Sequence, residues 1–201
     1  MQQVNGKIQR GLFLICIAIA LSLGACSSPF STQIDELAAQ REAMLPHARE
    51  HVSLVGTAPR YDISVIVDAD QLLLTGQAAV LYTNRQSVDL DAVYFRLYPN
   101  LPSYGGDLQV IRVQNGEQEL GATYEAERTA LRVPLPYPLA PRDSVRLRLD
   151  YQLRVKRWDE GRVLCGESQG ILSLPNFYPM LAVCENGTWN LAVGPEWADA
   201  V

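Results

Sequence analysis

Residues 144–155, SVRLRLDYQLRV, limit the possible folds more sharply than any other part of the chain. Val145, Leu147, Leu149, Tyr151, Leu153 and Val155 alternate with Arg146, Arg148, Asp150, Gln152 and Arg154. A period of two sustained over this length belongs to a strand, whose successive side chains point to opposite faces, and not to a helix of period 3.6. One face is expected to be buried and the other wet, which is the habit of an antiparallel sheet packed on one side.

The same period recurs upstream. YDISVIVDADQLLLTGQAAVLYTN, from Tyr61, reads as two strands joined at DAD, and VDLDAVYFRLYPN as a third that ends at Pro99 and Asn100. LQVIRVQNGEQEL centres on Asn115-Gly116, a pair that tolerates the positive φ of a type I′ hairpin turn. Turn clusters such as PYPLAPRD divide these runs at intervals of about 8 to 12 residues, and no long helix alternates with them. An all-β fold follows, an antiparallel sandwich or a saddle-shaped sheet. Ahead of it, IDELAAQREAML sets Ile34, Leu37, Ala38, Arg41 and Leu45 at helical spacing until Pro46 interrupts.

The beginning of the chain is a different kind of text. Lys7 and Arg10 precede LFLICIAIALSL, an apolar run that LGAC closes. The run is short of the roughly 20 residues that a membrane-spanning helix needs, so a signal peptide over residues 1–25 is expected. Leu23, Gly24, Ala25 and Cys26 resemble a bacterial lipobox, which implies that Cys26 is acylated and becomes the mature N-terminus. Several acyl chains hold a protein to a bilayer far more firmly than one. The expected plan is a leader (1–25), a tether with a short helix (26–58) and a β-domain (59–201), on the extracytoplasmic face of a bacterial membrane in the cell envelope.

Charge and motifs narrow the chemistry. A net charge of -5, with arginines scattered among carboxylates, excludes nucleic acid as the expected partner. Of four cysteines, Cys16 leaves with the leader and Cys26 is acylated. Cys165 and Cys184 remain in an oxidising compartment, either bonded to each other or as two buried thiols. His47, Glu50 and His51 in HAREH match an inverzincin pattern, but they follow Pro46 in a short segment with no large helical domain to enclose a metal; a solvated helix end accounts for them equally. There is no phosphate-cradling loop of the G-x-x-x-x-G-K-[ST] type.

Taken in order, GQAAVLYTNRQSVDLDAVYFRLYPN, PLAPRDSVRLRLDYQLRV and GILSLPNFYPMLAV followed by a turn and Trp189 resemble the N-terminal domain of the aminopeptidase N family of zinc metallopeptidases, in its bacterial lipoprotein form. The resemblance runs from about Tyr61 to Val201 and implies a saddle-shaped β-sandwich. In that family a thermolysin-like domain follows, carrying H-E-x-x-H and G-x-M-E-N, and neither motif occurs here. Zinc is thus expected only in a catalytic domain outside this sequence, and no catalytic residue or cofactor within it. The family's N-terminal domain also lends the cleft a Gln that orients the substrate N-terminus; Gln169, ahead of Phe177-Tyr178-Pro179, stands near that place with a spacing about one residue different.

Two functions are compatible with these readings. One is the scaffolding, peptide-orienting domain of an envelope-tethered zinc aminopeptidase, whose partners are a catalytic domain, a peptide and the membrane. The other is a free-standing lipoprotein that binds a peptide, glycan or envelope protein. GPEWADAV reads like the entrance to a strand, so the sequence is expected to continue into a catalytic domain. Phe177, Tyr178, Met180 and Leu181 are expected in the core, and Trp158, Trp189 and Trp197 as caps on the sandwich.

Overall fold

The computed structural model describes residues 38, 41–51, 56, 58–158 and 164–193. The chain divides into two compact units, Met1–Ser53 and Leu54–Val201. In the first, Ala38 and residues 41–43 are α-helical, and Pro46–His51 forms a 3-10 helix. Cys26 and Trp197 lie outside the described residues.

The second unit is built from strands β1 (Arg60–Asp68), β2 (Leu73–Thr83), β3 (Leu90–Arg96), β4 (Asp107–Asn115), β5 (Gln118–Glu119), β6 (Thr123–Glu125), β7 (Ala130–Leu139), β8 (Ser144–Arg154), β9 (Lys156–Arg157), β10 (Gly166–Ser168), β11 (Ile171–Ser173), β12 (Met180–Leu181), β13 (Cys184–Glu185) and β14 (Thr188–Trp189). A five-stranded sheet, β1-β2-β8-β4-β5, faces a four-stranded one, β12-β3-β7-β6; β11-β10-β9 and β13-β14 are small additions. The two large sheets are antiparallel throughout and form an all-β sandwich.

The alternation that opens the sequence reading is the spine of the core. Val145, Leu147, Leu149, Tyr151 and Leu153 are buried, and Val155 joins them just past the strand end. They meet Leu74, Ala78, Val80 and Tyr82 of β2, Leu108 and Val113 of β4, and Val93, Phe95, Leu131 and Val133 of the opposite sheet. Each fully buried leucine or phenylalanine contributes about 1.5 to 3 kcal/mol. The outer face of β8 is wet: Asp150 accepts from Gln77 Nε2 at 2.7 Å and from Arg112 Nε at 2.8 Å. The hydrogen bond from Gln77, then that from Arg112, holds the Asp150 carboxyl below the usual carboxylate range.

Tyrosine hydroxyls tie the two large sheets together on both flanks. On one, the Tyr61 hydroxyl of β1 accepts the Leu181 N–H of β12 at 2.7 Å; on the other, the Tyr124 hydroxyl of β6 accepts the Val110 N–H of β4 at 2.8 Å. Burial pushes the Tyr61 and Tyr151 hydroxyls above their ordinary range and the Tyr82 hydroxyl up to about 12, the neighbouring Cys184 adding to the last. These phenols stay protonated in the folded chain at pH values where the unfolded chain has begun to release theirs. Stability is therefore whole below the unfolded value of about 10 and declines as pH rises past it. Urea midpoints measured from pH 8 to 11.5 should fall only above about pH 10, and Tyr82→Phe should flatten part of that slope.

Candidate functional site

Gln169 is placed by local backbone chemistry. It occupies, with Gly170, the two-residue turn between β10 and β11, and their φ values of 51° and 80° are the positive pair of a type I′ turn. The Glu167 carboxylate braces that turn from within: it accepts the Gly170 N–H at 2.8 Å and forms an ion pair with Arg157. Those two bonds, the Gly170 amide first, hold the Glu167 carboxyl below its usual range. Trp158 anchors the base, donating its backbone N–H to Glu167 O at 2.9 Å and packing its indole so closely on Gly166 that a Cβ there would lie 2.6 Å from Cδ1. Gln169 itself is exposed at the tip.

The aromatic-proline corner behind the hairpin belongs to the core, as expected. Phe177, Tyr178 and Leu181 are partly buried and pack against the main cluster; Met180 is half-buried. Tyr178 meets Tyr61 edge-on at 5.3 Å and Phe177 at 5.2 Å. Asn176, at φ 51°, donates to the Tyr104 hydroxyl at 2.9 Å. Trp189 is a cap, with its ring 5.7 Å from both Tyr82 and Tyr94.

Of the two arrangements left open for the cysteines, the structure has the unbonded one: Cys165, buried, and Cys184, half-buried, are both free. Cys165 N donates to Tyr104 O, just ahead of β4, whose first residue pairs with the last of β8. Cys184 sits beside Gln86 and Tyr82, where β2 ends against the first residues of β8. The eleven residues of β8, at about 3.3 Å each, hold the thiols roughly 30 Å apart, against the 4.4 to 6.8 Å a disulfide needs. Burial pushes the Cys165 thiol up to about 11 and the Cys184 thiol in the same direction.

The weak metal set on His47, Glu50 and His51 loses its geometric premise. Pro46–His51 is a 3-10 helix, and with three residues per turn positions four apart no longer share a face. Among the described residues no group of three or more His, Cys, Asp or Glu side chains could hold a metal ion. No described helix is long and apolar enough to cross a membrane. A shallow recess of about 270 Å³ on the outer face, lined by Arg60, Asp62, Ala79, Leu81 and Arg146 among others, brings no nucleophile to a base.

Two further residues escaped the sequence reading. Asn84 is fully buried at the end of β2. Its Nδ2 donates at 2.8 Å to both Val88 O and Leu139 O, and its Oδ1 accepts Gln86 N–H at 2.9 Å. Arg96, 4% exposed, lies over the Tyr98 ring at 5.3 Å and donates to Ala192 O at 2.9 Å, with no carboxylate partner among the described residues. The tract YTN gave no period by which to separate a buried Asn from a turn residue, and FRLYPN none to separate a buried arginine from a wet one.

No protein-family profile and no curated protein matches the chain. Solved structures similar to it include the M1 zinc metallopeptidase of Deinococcus radiodurans, at 25% identity and TM-score 0.37 over 46% of this chain and 19% of that one. A mutant of the same enzyme bound to a Tyr-Ser-Ala substrate is similar at 24% identity and TM-score 0.44, over 60% of this chain and 28% of that one. A two-domain M1 zinc metallopeptidase mutant bound to L-arginine is similar at 20% identity and TM-score 0.41, over 60% and 28%. The chain thus spans less than a third of the length of each of these proteins.

Proposed function

We propose that this chain is the non-catalytic, peptide-orienting β-domain of a zinc aminopeptidase-like protein, held at the cell envelope by an acylated Cys26. Gln169 carries the reading. Its side chain stands on a two-residue turn that Glu167, Arg157 and Trp158 brace, so the backbone that presents its amide is already ordered before a ligand arrives. A glutamine amide both donates and accepts, which suits the N-terminal amine and first carbonyl of a peptide. The zinc, the nucleophilic water and the acid-base chemistry belong to a catalytic domain outside this sequence.

The test is reconstitution. The chain alone should bind no stoichiometric zinc and hydrolyse no aminoacyl-anilide; addition of an H-E-x-x-H-bearing catalytic domain should give activity. In that mixture Gln169→Ala should lower kcat/KM roughly 10- to 100-fold, the worth of one hydrogen bond to a charged group. Chelator-sensitive hydrolysis by the chain alone would overturn the reading. An unchanged kcat/KM for Gln169→Ala would remove the orienting role.

A further inference from the structure

Each edge strand of the two large sheets is blunted except one. β5, β6 and β12 have two or three residues. β4, which β5 covers only at Gln114 and Asn115, carries a bulge between Val110 and Arg112 and meets the Tyr124 hydroxyl at Val110. β3, which β12 covers only at Phe95 and Arg96, shifts register between Leu90 and Ala92. β7 is paired with β6 only as far as Arg132, and beyond it Pro134, Pro136 and Pro138 remove three N–H donors while the register shifts against β3. Short edges, prolines and bulges are the devices that keep a sheet from pairing with another chain. β1 has none of them. It is nine residues long, pairs with β2 on one side along its whole length, and has no strand on its other side among the described residues. Its centre, ISVIV, is uncharged, and Val65, Ile66 and Val67 are 39%, 73% and 46% exposed.

We propose that β1 is a self-association edge, on which a second copy of this chain adds its own β1 antiparallel about a two-fold axis at Ser64. The sequence of the strand selects that register. Centred on Ser64, Arg60 stands opposite Asp68 of the second copy at both ends of the ribbon, an opposite-charge pair directly across strands. On the same face Ser64 meets Ser64, and Asp62 stands opposite Ile66 twice, at exposed positions where its carboxylate keeps its water. The other face pairs Tyr61 with Val67 and Ile63 with Val65, twice each, extending the core that Tyr61 and Ile63 already line. A slip that moves the axis one residue toward the C-terminal end of β1 sets Asp62 against Asp68, and one toward its start leaves Arg60 facing Ile66. The matched ends and apolar centre fit a second copy better than an unrelated extended peptide, which would have to carry the same pattern by chance. The inference stands apart from the proposed peptidase role.

The experiment uses the full chain in detergent, its mass followed by light scattering over a concentration series. A dimer is expected. Asp68→Arg and Arg60→Asp should each weaken it about tenfold or more by setting like charges opposite each other, and the double variant should recover it. Ser64→Cys should form an intermolecular disulfide under mild oxidation, beyond any formed by the parent chain, because only this register brings residue 64 within bonding distance of its copy. All three substitutions are at exposed positions, so circular dichroism should be unchanged. A chain that stays monomeric at high concentration overturns the proposal. So does an association that ignores charge reversal and yields no added crosslink in Ser64→Cys, and so does a β1 that pairs only with an added extended peptide.

Discussion

Replacing Asn84 by alanine should lower the stability of the β-domain by about 3 kcal/mol, which for a domain of this size is a fall in Tm on the order of 10 °C. The substitution removes one side chain and orphans three backbone groups. Leu139 O and Val88 O lose their donor, and Gln86 N–H loses its acceptor. An unsatisfied buried group costs about 1 to 3 kcal/mol, with the half-exposed members of this set at the low end because water can reach them. The damage travels outward through Gln86. Its amide donates to Cys184 O at 2.8 Å and accepts Gly187 N–H at 3.3 Å, which pins the β13-β14 hairpin to the end of the sandwich. The Cys184 thiol should accordingly react faster with an alkylating reagent in Asn84→Ala than in the parent chain, while the buried Cys165 changes less. Asn84→Asp separates shape from donors. At neutral pH its carboxylate faces two carbonyls, so it should cost at least as much as alanine, and part of the loss should return as acid protonates the carboxyl and restores one donor. A melting curve for Asn84→Ala that overlays the parent's would show that these bonds do not hold the loops.

The elements legible in the sequence were those whose pattern expresses burial directly. In β8 every odd residue from Val145 to Leu153 is buried, because a long central strand with one wet face must alternate. β1 also ends at the first residue of DAD, and β3 just ahead of Pro99-Asn100. The two Asn-Gly pairs show how local chemistry yields to register. Asn186 and Gly187 adopt φ of 50° and 76°, the type I′ pair, whereas at Asn115-Gly116 only Gly116 turns positive and Asn115 remains in β4 opposite Gln118. The β4-β8 ladder carries a bulge between Val110 and Arg112 that leaves Ile111 60% exposed, so VIRV does not alternate evenly between faces. The Gln169 turn was less legible. The polarity of GESQGIL does not announce a hairpin, and the position came from resemblance, with its bracing by Glu167 and Trp158 visible only once β9, β10 and β11 were placed side by side. Buried Asn84 and Arg96 depend on contacts from segments 55 and 96 residues away, which no local window contains.

Gly76→Ala should be as damaging as the loss of Asn84, for the opposite physical reason. Gly76 of β2 stands directly across from Tyr151 of β8, whose ring lies over the glycine: a Cβ there would be 2.3 Å from Cζ, 2.5 Å from Oη and 2.7 Å from Cε1. Neither partner has room to give way, since Tyr151 is 1% exposed and packed among leucines. Overpacking of this kind costs typically 1 to 3 kcal/mol, and the closeness of all three atoms puts Gly76→Ala at about 3. The hydroxyl of the same ring is buried with no hydrogen-bond partner among the described residues. Tyr151→Phe deletes that unpaired group and keeps the ring, so it should be neutral or stabilise by up to about 1 kcal/mol, and it should not rescue Gly76→Ala because the clash at Cζ remains. Tyr151→Leu alone should cost about 2 kcal/mol through the space it opens over the glycine. Combined with Gly76→Ala, which fills that space, it should cost less than the sum of the two by about 1 to 2 kcal/mol, a coupling that urea midpoints of the four proteins would measure. Strict additivity would mean that the ring and the glycine do not share the space the structure gives them. A coupling of that sign would identify Gly76 as the position that lets a tyrosine lie flat in the centre of the larger sheet.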